Sequence, residues 1–259
     1  MKYVPKRLDR TRDISRGKTD PRVLAFRTAR AVAVMAALYL LLGVGAEELA
    51  RRIPTDWEAR FPVQVSGSEV DPALERVREI MDSLLAAGRL RPLPYRLILI
   101  DQPEPNAFAY PGGTIGVTRG LLDQVKSETG LAMVIGHELG HHHRRHVLRR
   151  LGRAVVVLVP LAALMSTSSD LLIRLFDLVE SKYSRDHERE ADRIGLTLVH
   201  RVYGSTDGAL EFFEFMADEH GDRAGMWSSL AATHPPSKER LETLAEYARR
   251  LASDDGVKP

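Results

Sequence analysis

The chain contains no cysteine in its 259 residues. That absence excludes disulfides, cysteine-based metal sites and thiol nucleophiles. Long apolar runs are also scarce. The longest apolar run, Ala31–Ala46, has sixteen residues without a charge, and the next apolar run, Ala154–Met165, has twelve. There is no internal repeat and no low-complexity tract. Hydrophobic residues make up 44% and charged residues 28% of the chain, a balance that excludes wholesale disorder.

The net charge of +2 hides an asymmetry. Residues 1–46 hold 10 Lys/Arg against 3 Asp/Glu, a net +7, and the remaining 213 residues hold 27 against 32, a net −5. A basic arm on a mildly acidic body points away from nucleic acid as a partner and toward a charge bias for membrane orientation. As a helix, sixteen residues span about 24 Å, short of the roughly 20 residues a bilayer core needs unless Arg27 and Arg30 reach to the interface. The favoured expectation is a single-pass membrane anchor over 29–50, with the arm inside and the rest of the chain on the extracytoplasmic side of the cell membrane. A cleaved signal peptide and a buried or amphipathic helix are the alternatives.

The expected organisation is a basic arm (1–28), the anchor (29–50), a linker (51–68), a folded domain (69–252) and a tail (253–259). Asp71-Pro72 has the form of a helix N-cap followed by proline. Leu74, Val77, Ile80, Met81, Leu84 and Leu85 then recur at helical spacing up to Gly88. Tyr95–Ile100 reads as a strand, and Phe108–Tyr110 and Thr114–Thr118 as a hairpin around Pro111-Gly112-Gly113. From Gly120 onward the pattern is helical, which makes the domain α+β, mostly helical with a small sheet. Ala154–Met165 is too short to span a bilayer and reads as a buried or surface-grazing helix, placed to act as a lid.

The segment Leu131–Arg150, LAMVIGHELGHHHRRHVLRR, reads as one continuous helix. His137 and His141 are four residues apart, so they lie about 40° apart around the axis and one turn apart along it. Two imidazoles so placed can converge on one Zn²⁺. Glu138 projects beside them, where it can take a proton from an attacking water and return it to a leaving amine. Gly136 and Gly140 allow a neighbouring backbone to approach closely. The plain alternative is a surface helix rich in histidine, since five of the nine histidines lie in 137–146. A third ligand is sought downstream, in Ser184–Gly195. There Glu188 and Asp192 share a helix face, so that Glu188 can ligate while Asp192 accepts a hydrogen bond from a ligand imidazole. Glu190 and His187 fall on other faces, and a solvated charged helix is again the plain alternative.

HELGHHHRRH, SRDHEREAD and THPP together resemble the M48 zinc metallopeptidases, in particular the compact bacterial type with one peptidase domain. The likeness runs from about Glu69 to Leu251. It implies a zincin-like fold whose active-site helix carries HExxH, with one Zn²⁺ per chain. The implied activity is cleavage of peptide bonds in unfolded or damaged proteins, a quality-control role with protein or peptide substrates as partners. Glu188, with Ala191 and Asp192, matches the family's third-ligand pattern. His234 matches a histidine that steadies the oxyanion, and His146 fits a position with a packing or hydrogen-bonding role. Asn106 and the segment after Pro111-Gly112-Gly113 resemble the family's cleft hairpin. The resemblance therefore implies that Ile115, Gly116 and Val117, in an exposed outer strand Ile115–Thr118, hold extended substrate. The multi-spanning architecture of the prenyl proteases is absent. A membrane-tethered chaperone or adaptor, a latent protease and a zincin with a non-peptide substrate are the rival readings.

Overall fold

The computed structural model describes residues 21–60, 65–152, 183–211, 213–214, 232–235 and 237–254. The chain divides into two compact units, Met1–Leu42 and Gly43–Pro259. The first helix, α1, runs Pro21–Arg52 and contains the whole of the expected anchor. Among the described residues no helix is long and apolar enough to cross a membrane. The transmembrane reading of 29–50 is corrected accordingly, and the physical reason lies in the flanks: Arg27 and Arg30 precede the uncharged run, and Glu47 and Glu48 follow it after sixteen residues. The run Ala154–Met165 falls outside the described residues.

The second unit begins within α1, at Gly43, and continues with α2, Thr55–Glu58. A 3-10 turn, Pro72–Leu74, then leads into α3, Glu75–Ala87. Asp71 accepts from the Ala73 N–H at 2.9 Å and so caps this start. Val77, Ile80, Met81 and Leu84 form the buried stripe of α3, as their spacing requires. Strands β1 (Arg96–Ile100), β2 (Ala107–Tyr110) and β3 (Thr114–Thr118) follow. Next come α4 (Arg119–Gln124) and α5 (Glu128–His143), the latter capped by Ser127, which accepts from the Gly130 N–H at 3.1 Å. α6 (Arg185–Tyr203) is capped by Ser184 and stopped by Gly204 at φ 67, and α7 spans Lys238–Asp254.

The sheet order is β1-β3-β2, with β1 and β3 parallel and β2 antiparallel to β3. β3 is thus the central strand, buried along its whole length, and β2 is an edge. This corrects the expected outer strand at Ile115–Thr118. The hairpin exists, but β1 returns to the far side of β3 and occupies the edge that a substrate would need. Asn106 is buried as well. Its side chain accepts from the Ala107 N–H at 2.9 Å, and its backbone N–H donates to the Thr118 hydroxyl at 2.8 Å, so it ties β2 to β3.

The helix expected over 131–150 is interrupted. It ends at His143, Arg144 and Arg145 form a turn, and helix resumes over 146–152. Arg145 has φ 59, a left-handed conformation that residues with side chains seldom adopt. Distant partners hold it there. Its buried guanidinium donates to the carbonyls of Ala50 and Arg51 at 3.2 and 2.6 Å and pairs with buried Glu58 at 3.2 Å. Burial pushes the Glu58 carboxyl up, and Arg145 pulls it back toward the charged form.

The core between the sheet and α3, α5 and α6 is built from aliphatic residues such as Leu74, Leu84, Ile115, Leu131, Ile135, Leu139 and Leu196. Within it, α5 and α6 approach more closely than side chains would allow. A Cβ on Gly136 would lie 3.0 Å from Gly195 Cα, and one on Gly140 would lie 2.9 Å from both the Cα and the carbonyl oxygen of Ala191. Gly140→Ala is expected to lower stability by about 1–2 kcal/mol, because overpacking costs about 1–3 kcal/mol and helix propensity returns only about 1 kcal/mol. Thermal melting of the variant checks this. A melting temperature at or above wild type would mean that the two helices can part without cost.

Candidate metal centre

The close seam between α5 and α6 brings the first turn of α6 against the last two turns of α5. His137 and His141 on α5 then face Glu188 on α6, and all three are buried. The two imidazole Nε2 atoms lie 3.0 Å apart. Glu188 Oε2 is 3.5 Å from His137 Nε2, and Glu188 Oε1 is 3.5 Å from His141 Nε2. Donors held at about 2.0–2.1 Å around one tetrahedral ion stand about 3.3 Å from each other. The observed separations bracket that value, and nitrogen with carboxylate oxygen is a donor set suited to a divalent transition metal. His234 joins the group: its Nδ1 lies 3.2 Å from His137 Nε2 and 3.1 Å from Glu188 Oε1. One donor atom from each of His137, His141, Glu188 and His234 falls within a 4.8 Å span.

Behind these groups is a buried frame of charge. Asp192 Oδ1 lies 2.8 Å from His137 Nδ1 and can fix that ring with Nε2 turned inward. Arg240 of α7 grips Asp192 with two hydrogen bonds of 2.7 Å and reaches Glu188 Oε2 at 2.8 Å. Burial opposes charge on both carboxylates. Arg240 outweighs it at Asp192, and His234 with Arg240 outweighs it at Glu188, whose carboxyl is held well below the usual range. At His137 burial works against the charged ring, but Asp192 and Glu188 prevail and raise it to about 9. At His141 burial prevails over the support of Glu188 and pushes the ring far below its ordinary value.

Glu138 is 1% exposed, with Oε1 3.5 Å from His234 Nε2 and Oε2 without a hydrogen-bond partner among the described residues. A buried carboxylate oxygen left unsatisfied is costly, and its position beside the four donor atoms suits a proton acceptor for a molecule bound there. Tyr183 stacks on His141 with ring centroids 3.8 Å apart. A small cleft beside the centre is lined by Phe108, Ala109 and Tyr110 of β2 together with Tyr183, Thr233 and His234.

The structure therefore gathers His137, Glu138, His141, Glu188, Asp192 and His234, which the sequence singled out. It does not bring Ile115, Gly116 and Val117 to the cleft; the edge strand β2 lies there instead. The surface-helix alternative for the histidine cluster also fails, since His142 and His146 are buried. His142 Nε2 donates to the Thr114 carbonyl at 3.2 Å and joins α5 to the sheet. Arg240 was missed, and so was Tyr183. The one sequence signal for Arg240 was its place six residues after His234, on a helix whose other charges are mostly exposed.

Comparison with known proteins agrees with this geometry. The profile of Peptidase family M48 matches residues 73–248. Mitochondrial metalloendopeptidase OMA1 of Schizosaccharomyces pombe is 34% identical over 182 residues, covering 68% of this chain and 53% of that protein. Metalloprotease YcaL of Escherichia coli is 32% identical over 170 residues, 62% of this chain and 63% of that protein. A protease HtpX homolog of Salinibacter ruber is 28% identical over 275 aligned positions, 87% of this chain and 98% of that protein. The chain thus spans between half and two thirds of the length of the first two of these relatives. The profile covers most of the chain and includes every donor residue described above, and the chain belongs to Peptidase family M48, the metal-dependent peptidases.

Proposed function

We propose that this chain is a zinc endopeptidase that cuts unfolded or damaged proteins, with His137, His141 and Glu188 as its metal ligands. The observation that carries the reading is the buried cluster of nitrogen and carboxylate donors spaced 3.0–3.5 Å apart, with an unsatisfied carboxylate oxygen of Glu138 beside it. Zinc, when bound, polarises a carbonyl and lowers the pKa of bound water to about 7. Asp192 holds the His137 ring in orientation, and Arg240 holds Asp192. Glu138 Oε2 receives the proton of the attacking water and delivers it to the leaving amine. The edge of β2, beside the cleft, offers main-chain groups to an extended peptide, a sequence-tolerant mode that suits unfolded chains. The test is incubation of the full chain with one protein in native and in unfolded form. Internal cuts confined to the unfolded form and abolished by a chelator support the reading, and an intact unfolded substrate counts against it.

A second reading, a latent protease, is favoured by the position of His234. Its Nδ1 stands among the donor atoms, where a fourth donor would take the place that a water requires. The oxyanion role needs His234 to withdraw from there. His234→Ala separates the two. Cleavage that rises means a latch, whereas a fall of about 10²–10³ in kcat with zinc retained means an oxyanion donor.

Attachment to a membrane surface through residues 29–50 belongs to the same proposal and rests on the basic arm preceding the uncharged run. Sedimentation of the expressed chain with membranes, and its release when residues 1–50 are deleted, is the check.

A further inference from the structure

A helix that continued past His143 would carry His146 away from the metal centre. Five residues at 100° each place His146 about 140° around the axis from His141. The turn at Arg144–Arg145, with Arg145 at φ 59, changes that direction and brings His146 back beneath His141. The two Nδ1 atoms are 3.0 Å apart, and His146 is wholly buried. On its far side, His146 Nε2 is 3.2 Å from Glu190 Oε2. His187 stacks on the His146 ring with centroids 4.1 Å apart and planes 12° apart, which fixes the ring's tilt. His187 and Glu190, which the helix periodicity set on faces away from Glu188, are thus both turned to this one ring.

The proton positions along this line follow from chemistry. If His141 offers Nε2 to a metal, its Nδ1 carries the hydrogen and must donate it. His146 Nδ1 accepts, so His146 carries its own hydrogen on Nε2 and donates to the Glu190 carboxylate.

We propose that His146 and Glu190 are positioning residues for His141, a relay that sets its tautomer and ring angle as Asp192 does for His137. The proposal rests on the metal-centre reading above. The two arms differ in kind. Asp192 is buried and fixed by Arg240, whereas Glu190 is 46% exposed and shared with Arg144 at 3.6 Å. The His141 arm therefore ends at the surface, and the strained turn at Arg145 is the feature that makes it possible.

The experiment measures zinc affinity of the full chain by competition with a chelator, for wild type, His146→Leu, His146→Asn and Glu190→Ala, with melting of each metal-free form as the folding control. His146→Leu should weaken zinc binding about 10–100-fold, the usual effect of removing a group that orients a ligand. His146→Asn should restore most of the loss, because its side-chain oxygen can stand where Nδ1 accepted, and simple packing would not be rescued by a smaller polar group. Glu190→Ala should lose affinity in the same direction by less. Folded His146→Leu that binds zinc within about twofold of wild type overturns the relay. Should that variant not fold, Glu190→Ala decides, and unchanged affinity there overturns the relay. A wild-type chain that binds no zinc overturns the metal-centre reading and the relay with it, an outcome separate from the other two.

Discussion

Glu138→Gln should bind zinc like the wild type and cleave about 10²–10⁴-fold more slowly, the range that a positioned acid–base group contributes. The substitution keeps size and polarity but cannot accept a proton. Among the described residues Glu138 has no hydrogen bond at Oε2 to lose, and its Oε1 lies 3.5 Å from His234 Nε2. The fold should therefore be unaffected, and melting should show no loss. Zinc content and kcat/KM, measured on one preparation, check this. Zinc lost together with activity would make Glu138 a structural residue and would remove the proton acceptor from the mechanism. Full activity in the variant would move the acid–base role to another group.

Arg240→Leu should be the most damaging change outside the donor set. The guanidinium is 7% exposed and joins Glu188 to Asp192 through contacts of 2.7–2.8 Å. Without it two buried carboxylates lose the guanidinium that both of them share, and breaking a buried pair in this way costs about 3–5 kcal/mol. For a domain of this size the cost corresponds to a melting temperature lower by about 10 °C. Zinc affinity should fall about 10–100-fold as well, since Asp192 would no longer hold the His137 ring. Arg240→Lys should fall between, keeping the charge but losing the planar fork that grips both oxygens of Asp192. Equal stability in Arg240→Leu and wild type would mean that the two carboxylates find other partners and that α7 is not part of the frame.

Much of the site was legible because helix periodicity is local. The four-residue spacings of His137 with His141 and of Glu188 with Asp192 fix a shared face whatever the rest of the chain does. Periodicity also located α3 with its Asp71 start and Gly88 stop, and the hairpin of β2 and β3. Three features were not legible, each for a nonlocal reason. The order of strands depends on where β1 pairs, and neither Tyr95–Ile100 nor Thr114–Thr118 says which of them will be central. The break at Arg145 has no glycine to announce it, because Glu58 and the carbonyls of Ala50 and Arg51, all distant in sequence, hold the turn in place. Arg240 looks like one more charge on a polar helix until the fold puts two buried carboxylates opposite it. The sixteen-residue run was misread in the other direction, since its basic flanks suggested a span that its length does not supply.

The central claim, one zinc held by His137, His141 and Glu188 and used to cut peptide bonds, is tested most directly by stepwise return of metal. The full chain would be stripped with a chelator, freed of it, and given zinc in fractions of an equivalent while cleavage of an unfolded protein is followed. The account predicts no cleavage without zinc and a linear rise that ends at one zinc per chain. Cleavage by the stripped chain, or a zinc-loaded folded chain that cuts nothing even as His234→Ala, would contradict it.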